Sequence, residues 1–256
     1  MSSLTELINA FNAAGDLKTD RDIVIAPTAL HISLAKNLLR KEIEVSAQNI
    51  WKVNVGKRAL FVICRAMVPT PASSLLPCSR VRLFISSLDR IDFGVNWTLL
   101  GHSERRHTVA AESDELIAEK TKIALANGVK VILCIGELLE DRESGKTMDV
   151  CKAQLQAVVD VLEEKDWENI VIAYEPVWAI GTGKTATPDV AEETHAQIRA
   201  YMASAVSPAV AENVRIIYGG SVSTKNCADL IKKEDIDGFL VGGASLKPDF
   251  VQIINC

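Results

Sequence analysis

The sequence predicts an α/β fold, a (β/α)8 barrel that forms a single domain over residues 1–256 and lacks its first strand. Two observations support this prediction. The chain has 256 residues, which is the usual size of one large α/β barrel. From residue 94 onward, short apolar strands alternate with amphipathic helices, as in a parallel sheet that is built from βα units.

The elements follow in order from a helix that is predicted over residues 4–14. Strands are expected at 22–26, 44–47, 96–100, 130–134, 170–174, 214–218 and 238–241. Helices are expected at 28–39, 114–127, 147–165, 189–205 and 226–232, with a short one after Lys247. An eight-stranded barrel needs one strand more than these, and the missing one ought to precede the first helix.

The segment at about 50–90 is atypical, because it interrupts the βα rhythm. Residues 68–80 read VPTPASSLLPCSR and are rich in proline and serine, which predicts a loop. The apolar runs on either side, 59–64 and 81–85, have the β propensity of strands. Regular structure across forty such residues is improbable inside a compact barrel. Without a first strand, the edges at 22–26 and 238–241 stay open unless another segment covers them.

Composition limits the functional classes. With 48% hydrophobic and 24% charged residues, the chain has enough apolar material for a large core. A net charge of −5 disfavours nucleic-acid binding but leaves room for a local phosphate pocket. No apolar run approaches a membrane helix in length, and the N-terminus lacks the pattern of a secretory signal, so a cytoplasmic location is expected. The six cysteines have no metal-ligand spacing and are expected to be thiols that pack in the core.

Glu175 is the first candidate catalytic residue. The apolar run 170–174 predicts a buried strand, Glu175 follows its end, and Pro176 stops the strand from continuing. The next residues, 177–180, are apolar, and Gly-Thr-Gly at 181–183 predicts a hinge. A loop of this composition suggests a lid over a catalytic base. The alternative is an ordinary connection with a solvated glutamate.

His102 is the second candidate, because it follows the strand at 96–100 at the end where barrels carry their chemistry. The alternative is a structural histidine that only forms hydrogen bonds. Glu104 and Arg105 come next in the chain. They predict either a salt bridge that supports the loop or a catalytic role for Glu104.

Two glycine loops predict a phosphate site. Gly-Gly-Ser-Val at 219–222 and Gly-Gly-Ala-Ser at 242–245 follow the last two predicted strands. Glycines let main-chain amides approach an anion, and a short helix that starts behind Gly243 would point its positive end there. Gly183 in the lid would add another amide. Either loop alone is an ordinary turn, but the two together occupy the phosphate position of a barrel.

Seven motifs in order show a resemblance to the triosephosphate isomerase family, whose members are TIM barrels. The matching stretches are AQN (47–49), LGHSERRH (100–107), AEKT (118–121), ILCIGE (132–137), AYEPVWAIGTGK (173–184), IIYGGSV (216–222) and DGFLVGGASL (237–246). The resemblance covers residues 94–256 almost without a gap, and residues 3–49 agree more loosely.

The resemblance implies an isomerase of glycolysis and gluconeogenesis that interconverts dihydroxyacetone phosphate and D-glyceraldehyde 3-phosphate through an enediolate. Glu175 resembles the base, His102 the neutral imidazole that polarises the carbonyl, and Glu104 a supporting carboxylate. The implied phosphate-binding residues are Gly181, Gly183, Ser221, Gly242 and Gly243, and the implied lid is 176–186. The resemblance also implies a homodimer that needs no metal and no organic cofactor. It implies no nucleic-acid or membrane partner.

The sequence departs from the family pattern in two places. The family's first strand ends in a loop with an Asn and a catalytic Lys, and nothing before Leu4 supplies them. Lys52 is no substitute, because it follows the strand at 44–47, where the family has its own aromatic-Lys pair. The segment 54–90 replaces the family's third loop, which crosses to the partner subunit, and it lacks the loop's Gly-Phe-Thr-Gly motif.

These departures keep a second hypothesis open, since loss of a cation that faces transition-state charge costs on the order of several kcal/mol. In that hypothesis the chain is an impaired or inactive barrel of the same family. It would bind phosphate weakly or only associate with other subunits. A third hypothesis, another phosphosugar barrel enzyme, fits AYEPVWAIGTGK poorly.

Overall fold

The computed structural model describes residues 2–18, 20–28, 31–50, 94–109, 111–180 and 186–256, without the side chains of 2, 3, 108 and 109. Six parallel strands form one sheet in chain order: β1 (Ile23–Ile25), β2 (Ile43–Ala47), β3 (Trp97–Leu100), β4 (Lys130–Ile135), β5 (Ile170–Tyr174) and β6 (Arg215–Tyr218). The α-helices described are α1 (Ser2–Ala13), α2 (Ile32–Leu38), α3 (Asp114–Ala126), α4 (Leu139–Glu143), α5 (Thr147–Val159), α6 (Pro188–Ala205), α7 (Pro208–Asn213), α8 (Cys227–Leu230) and α9 (Phe250–Ile254).

The sheet curls toward a barrel. The carboxylate of Asp22, just before β1, lies 2.7 Å from the guanidinium of Arg215 at the start of β6. In a flat sheet, five strand spacings of about 4.8 Å would hold these two residues about 24 Å apart. The predicted barrel architecture is therefore confirmed for the six strands that the structure describes.

The strands are mostly apolar because both faces of the sheet are covered. Alternate residues of one strand, such as Leu99 and Leu100, belong to two different hydrophobic clusters. The inner cluster contains Trp97, Leu99, Ile132, Cys134, Val171 and Ala173, and Val24, Ile217 and Leu240 pack against it. The outer cluster joins the other strand face to α3, α5 and α6. A parallel sheet that is covered in this way positions its strand ends rigidly.

The predicted strand at 238–241 is wrong as a full strand. Phe239 forms a single parallel bridge with Tyr218. The Tyr218 N–H donates to the Gly238 carbonyl at 2.9 Å, and the Leu240 N–H donates to the Tyr218 carbonyl at 2.9 Å. The pairing stays this short because glycines bracket it: Gly238 has a φ of +156°, and the Gly242-Gly243 turn follows.

Several helix predictions need correction. The helix predicted at 147–165 ends at Val159, and a separate 3-10 turn, Glu164–Asn169, follows it. The sequence analysis missed α4 and α7. The sequence does contain a helix-start signal for α7. Ser207 caps this helix by accepting from the Val210 N–H at 3.2 Å, and Pro208 occupies its first turn.

The atypical segment and its two apolar runs fall within 51–93, which the structure does not describe. Across the ranges that it does describe, no helix has the length and apolar character needed to cross a membrane.

Candidate active site

The carboxyl ends of β3, β4, β5 and β6 meet at one edge of the sheet, because the strands are parallel and adjacent. Each strand is followed, within two positions of its last residue, by one residue of the site. These residues are His102, Gly136, Glu175 and Gly219, in strand order. Two residues that the sequence predicted are brought together here. His102 Nε2 lies 3.1 Å from Glu175 Oε1.

Glu175 is a carboxylate in a dry environment, with only 2% of its surface exposed. The main-chain N–H of Ser103 donates to Oε2 at 3.0 Å. Burial raises the pKa of Glu175 above its ordinary value, while the His102 ring and the Ser103 N–H partly oppose that rise. A carboxylate that is ionised under these conditions is a stronger base than one in water. The alternative of a solvated glutamate is wrong.

The hydrogen bonds of His102 indicate which tautomer it adopts. Its Nδ1 faces the main-chain N–H of Glu104 at 3.4 Å, a long contact in which Nδ1 can only accept. A neutral ring then carries its proton on Nε2, the atom that faces Glu175. The side chain is 30% exposed, so part of the ring faces solvent.

Two glycines make the room that the Glu175 main chain and side chain occupy. A Cβ at Gly136 would lie 1.8 Å from the Glu175 carbonyl oxygen. A Cβ at Gly219 would lie 2.8 Å from Glu175 Cγ. Gly219 is therefore needed for close packing, in addition to any role in the phosphate loop. The sequence analysis did not single out Gly136, although a glycine directly after an apolar strand is a signal of close approach.

The predicted Glu104–Arg105 salt bridge is wrong. Arg105 turns inward and pairs with Glu112, its Nε lying 2.7 Å from Oε1, and buried Lys120 contacts the same oxygen at 2.7 Å. The inward turn follows from a π-helical turn over Arg105–Val109. Glu104 stays exposed, and its negative charge adds slightly to the rise in the Glu175 pKa.

Arg106 is a further residue of this edge that the sequence analysis missed. Its guanidinium donates to the Gly101 carbonyl at 2.7 Å and to the Cys134 carbonyl at 3.0 Å, and it pairs with Asp114. Arg106 thus ties the end of β3 to the end of β4. Gly101 has a φ of +74°, and a Cβ there would lie 2.7 Å from the Cys134 carbonyl oxygen.

Three of the predicted phosphate-binding residues, Ser221, Gly242 and Gly243, lie beyond β6 and the Phe239 bridge, at the same edge as Glu175. Ser221 is half-buried, and its carbonyl accepts from the Asn226 amide at 2.8 Å. Gly242 and Gly243 are exposed, and Gly243 begins a 3-10 turn, Gly243–Leu246. Gly181 and Gly183 belong to 181–185, outside the residues that the structure describes.

The start of the predicted lid is anchored to a buried carboxylate. Trp178 Nε1 donates to Glu137 Oε1 at 2.9 Å, and the Tyr174 hydroxyl donates to the same oxygen at 3.1 Å. Ala179 is buried, whereas Ile180 is 37% exposed. The first three residues of the predicted lid's apolar run form a 3-10 turn, Val177–Ala179.

The described part of the chain holds no group of three or more His, Cys, Asp or Glu side chains arranged to bind a metal ion.

Comparison with known proteins gives consistent matches. The family model described as triosephosphate isomerase matches residues 85–256. The chloroplastic triosephosphate isomerase of Secale cereale is 50% identical over 99% of this chain and 76% of that protein. The triosephosphate isomerase of Coprinopsis cinerea is 48% identical over 100% of this chain and 92% of that protein. That of Candida albicans is 49% identical over 98% and 91%, respectively.

Two independent findings agree at this point. The structure brings a buried carboxylate and an imidazole together at the carboxyl end of a curved parallel sheet. The relatives share about half of their residues with this chain over nearly its whole length. The chain belongs to the triosephosphate isomerase family.

Proposed function

We propose that this chain interconverts dihydroxyacetone phosphate and D-glyceraldehyde 3-phosphate. The observation that carries the proposal is the 3.1 Å contact between Glu175 Oε1 and His102 Nε2. Aldose–ketose isomerisation needs a base beside the carbon next to a carbonyl, and a donor beside the carbonyl oxygen. These two side chains supply that pair.

The proton moves in two steps. Glu175 takes a proton from the carbon next to the carbonyl while the His102 Nε2–H donates a hydrogen bond to the carbonyl oxygen, which becomes the enediolate oxygen. The protonated Glu175 then returns the proton to the neighbouring carbon, while the hydroxyl proton of the first carbon passes to the enediolate oxygen through His102 Nε2. Without substrate, Glu175 itself accepts from His102 and from the Ser103 N–H. A bound carbonyl replaces Glu175 as the acceptor at His102, and Glu175 loses a stabilising donor and gains basicity.

The phosphate is held by main-chain amides. We assign this role to Ser221, Gly242 and Gly243, together with Gly181 and Gly183. Amides at the start of a helical turn carry partial positive charge and suit a phosphate dianion. A phosphate fixed at this edge places the reacting carbons beside Glu175 and the carbonyl oxygen beside His102. A lid at 176–186 that closes over them excludes water, which protects the enediolate from losing phosphate.

Turnover of glyceraldehyde 3-phosphate by the purified chain tests this proposal. We expect isomerisation by the unaltered chain and a fall in kcat of about 100-fold or more in Glu175→Asp, because the shorter side chain withdraws the base by roughly 1 Å. Glu163→Asp is the control, since this glutamate is exposed and pairs with Lys165. Equal turnover in the unaltered chain and Glu175→Asp would remove Glu175 from the mechanism. Absence of turnover in both would favour the impaired barrel, which the names of the relatives do not suggest.

We also propose that the chain works as a cytoplasmic homodimer. The family resemblance supports the dimer, and a cytosolic relative from Gracilaria gracilis, 46% identical, supports the location. Chloroplastic relatives match as well, so imaging of the tagged protein in its own cells is the direct test of location. Light scattering during size-exclusion chromatography tests the dimer, and a mass of only 27.8 kDa would contradict it.

A further inference from the structure

Two cysteines in the C-terminal part of the chain, Cys227 and Cys256, face each other outside the proposed active site. The Sγ atoms of Cys227 and Cys256 lie 2.7 Å apart. Cys227 is buried at the start of α8, whereas Cys256 is partly exposed beyond α9. Since the two sulfur atoms are already in contact, a covalent bond between them needs only small side-chain rotations.

Hydrogen bonds fix both partners. On the Cys227 side, the preceding Asn226 accepts from the Ser223 N–H at 2.8 Å and donates to the Ser221 carbonyl at 2.8 Å. On the Cys256 side, Lys18 Nζ donates to the Cys256 main-chain oxygen at 2.8 Å, and the Lys18 N–H donates to Asn255 at 3.1 Å. The sulfur contact is therefore held from two directions by segments far apart in sequence.

We propose that Cys227 and Cys256 form an oxidative modification site, at which a low-molecular-weight disulfide such as oxidised glutathione converts the two thiols into an internal disulfide. The Cys256 thiolate attacks one glutathione sulfur, which forms a mixed disulfide and releases one glutathione. Cys227 then attacks the Cys256 sulfur, which forms the internal bond and releases the second glutathione. The two protein thiols are oxidised, and one oxidised glutathione is reduced to two glutathione molecules.

The surroundings of Cys256 also set the rate at which it reacts with oxidised glutathione. Burial, together with the nearby Cys227, raises the pKa of Cys256 to about 11. Only a small fraction of Cys256 is thiolate at neutral pH, so the reaction is slow there and speeds up as the pH rises. The finished bond closes a loop that includes the Phe239 bridge and the Gly242-Gly243 turn. Because it restricts the unfolded chain, the bond raises the melting temperature.

The test uses the full reduced chain, incubated with oxidised glutathione at pH 7 and pH 9 and then alkylated and digested with trypsin. We expect one disulfide that joins residues 226–232 to residues 234–256, and faster formation at pH 9. The oxidised chain should melt about 5 °C higher than the reduced chain. The increase should be absent in Cys256→Ser and kept in Cys151→Ser, whose altered residue is a buried cysteine of α5.

Peptide mapping of the unaltered chain keeps the proposal falsifiable even if a variant fails to fold. Free thiols at 227 and 256 after incubation would overturn it. A stable glutathione adduct on Cys256 that Cys227 does not displace would overturn it as well, and so would a disulfide from either residue to a different cysteine.

Discussion

At the scale of single residues, Glu175 is a carboxylate that is almost completely buried, so water cannot fully hydrate its negative charge. Its carboxylate has two hydrogen-bond donors, His102 and the Ser103 N–H. These do not replace full hydration, because the pKa of Glu175 remains raised, with burial as the main cause. The residue best placed for proton transfer therefore also lowers the stability of the folded chain when it is ionised.

We predict that Glu175→Gln changes stability in a pH-dependent way. A raised folded-state pKa means that the folded chain binds this proton more tightly than the unfolded chain. The stability of the unaltered chain therefore contains a favourable contribution below the unfolded pKa, near 4.5, and loses it as the pH rises through the folded pKa. The unfolding free energy of Glu175→Gln minus that of the unaltered chain should increase over this window.

Urea unfolding at a series of pH values from 4 upward measures this difference. Glu163→Gln is the matched control, because its exposed carboxylate has a pKa lowered by Lys165. For a lowered pKa the linkage has the opposite sign, so the control difference should not increase with pH. A flat difference for Glu175→Gln would contradict the prediction.

Ala111 provides a second prediction, based on backbone strain. It has a φ of +46° and is exposed, so a Cβ there adds strain without compensating burial. Ala111→Gly should raise the unfolding free energy by about 1 kcal/mol. The same substitution at exposed Ala200, within α6, should lower it by about 1 kcal/mol because glycine is a poor helix former. Equal changes at the two positions in denaturant titrations would count against strain at Ala111.

At the scale of elements, the turn that begins the proposed lid contacts one buried carboxylate. Glu137 follows β4 and accepts from Trp178, in the 3-10 turn after β5, and from Tyr174, the last residue of β5. The ends of β4 and β5 are thereby joined. Burial raises the pKa of Glu137, an effect that these donors partly offset.

We predict that Trp178→Phe lowers the unfolding free energy by about 1.5–3 kcal/mol, because it removes a hydrogen bond to a buried charged group and keeps most of the aromatic packing. The pKa of Glu137 should rise further. Trp167→Phe serves as the control, since the buried Trp167 Nε1 has no hydrogen-bond partner among the described residues. Thermal melts of both variants measure the effect, and equal losses would mean that packing, and not the Glu137 contact, explains it.

At the scale of the whole molecule, two kinds of ion pair connect distant parts of the chain. Arg215 and Asp22 bring the first and last strands together, but their side chains are 43% and 44% exposed. Arg105, Glu112 and Lys120 form a buried group that links the turn after β3 to α3. The curvature of the sheet therefore depends on its packed faces more than on the exposed pair.

We predict that Asp22→Asn costs at most about 1 kcal/mol, as exposed ion pairs usually do. Glu112→Gln should cost about 3–5 kcal/mol, because it neutralises a buried carboxylate that both Arg105 and Lys120 contact. Denaturant unfolding, which we expect to proceed in one transition, measures both. Similar costs for the two variants would show that burial does not distinguish them.

For the six described strands, the sequence by itself determined the strand ends to within about one residue, and with them the residues that follow. Glu175, His102 and the two glycine loops could be predicted because a strand, its end and the next residue are local in the chain. Family membership could be predicted for the same reason, since the motifs are contiguous.

Only the tertiary structure decided which side chains meet across strands. Gly136 and Gly219 lie against Glu175, Arg105 pairs with Glu112 instead of Glu104, and Cys227 faces Cys256. These contacts depend on the register and curvature of the sheet and on the path of each connecting turn. Such features arise from the packing of the whole chain, because no short stretch of sequence contains both partners and the geometry between them.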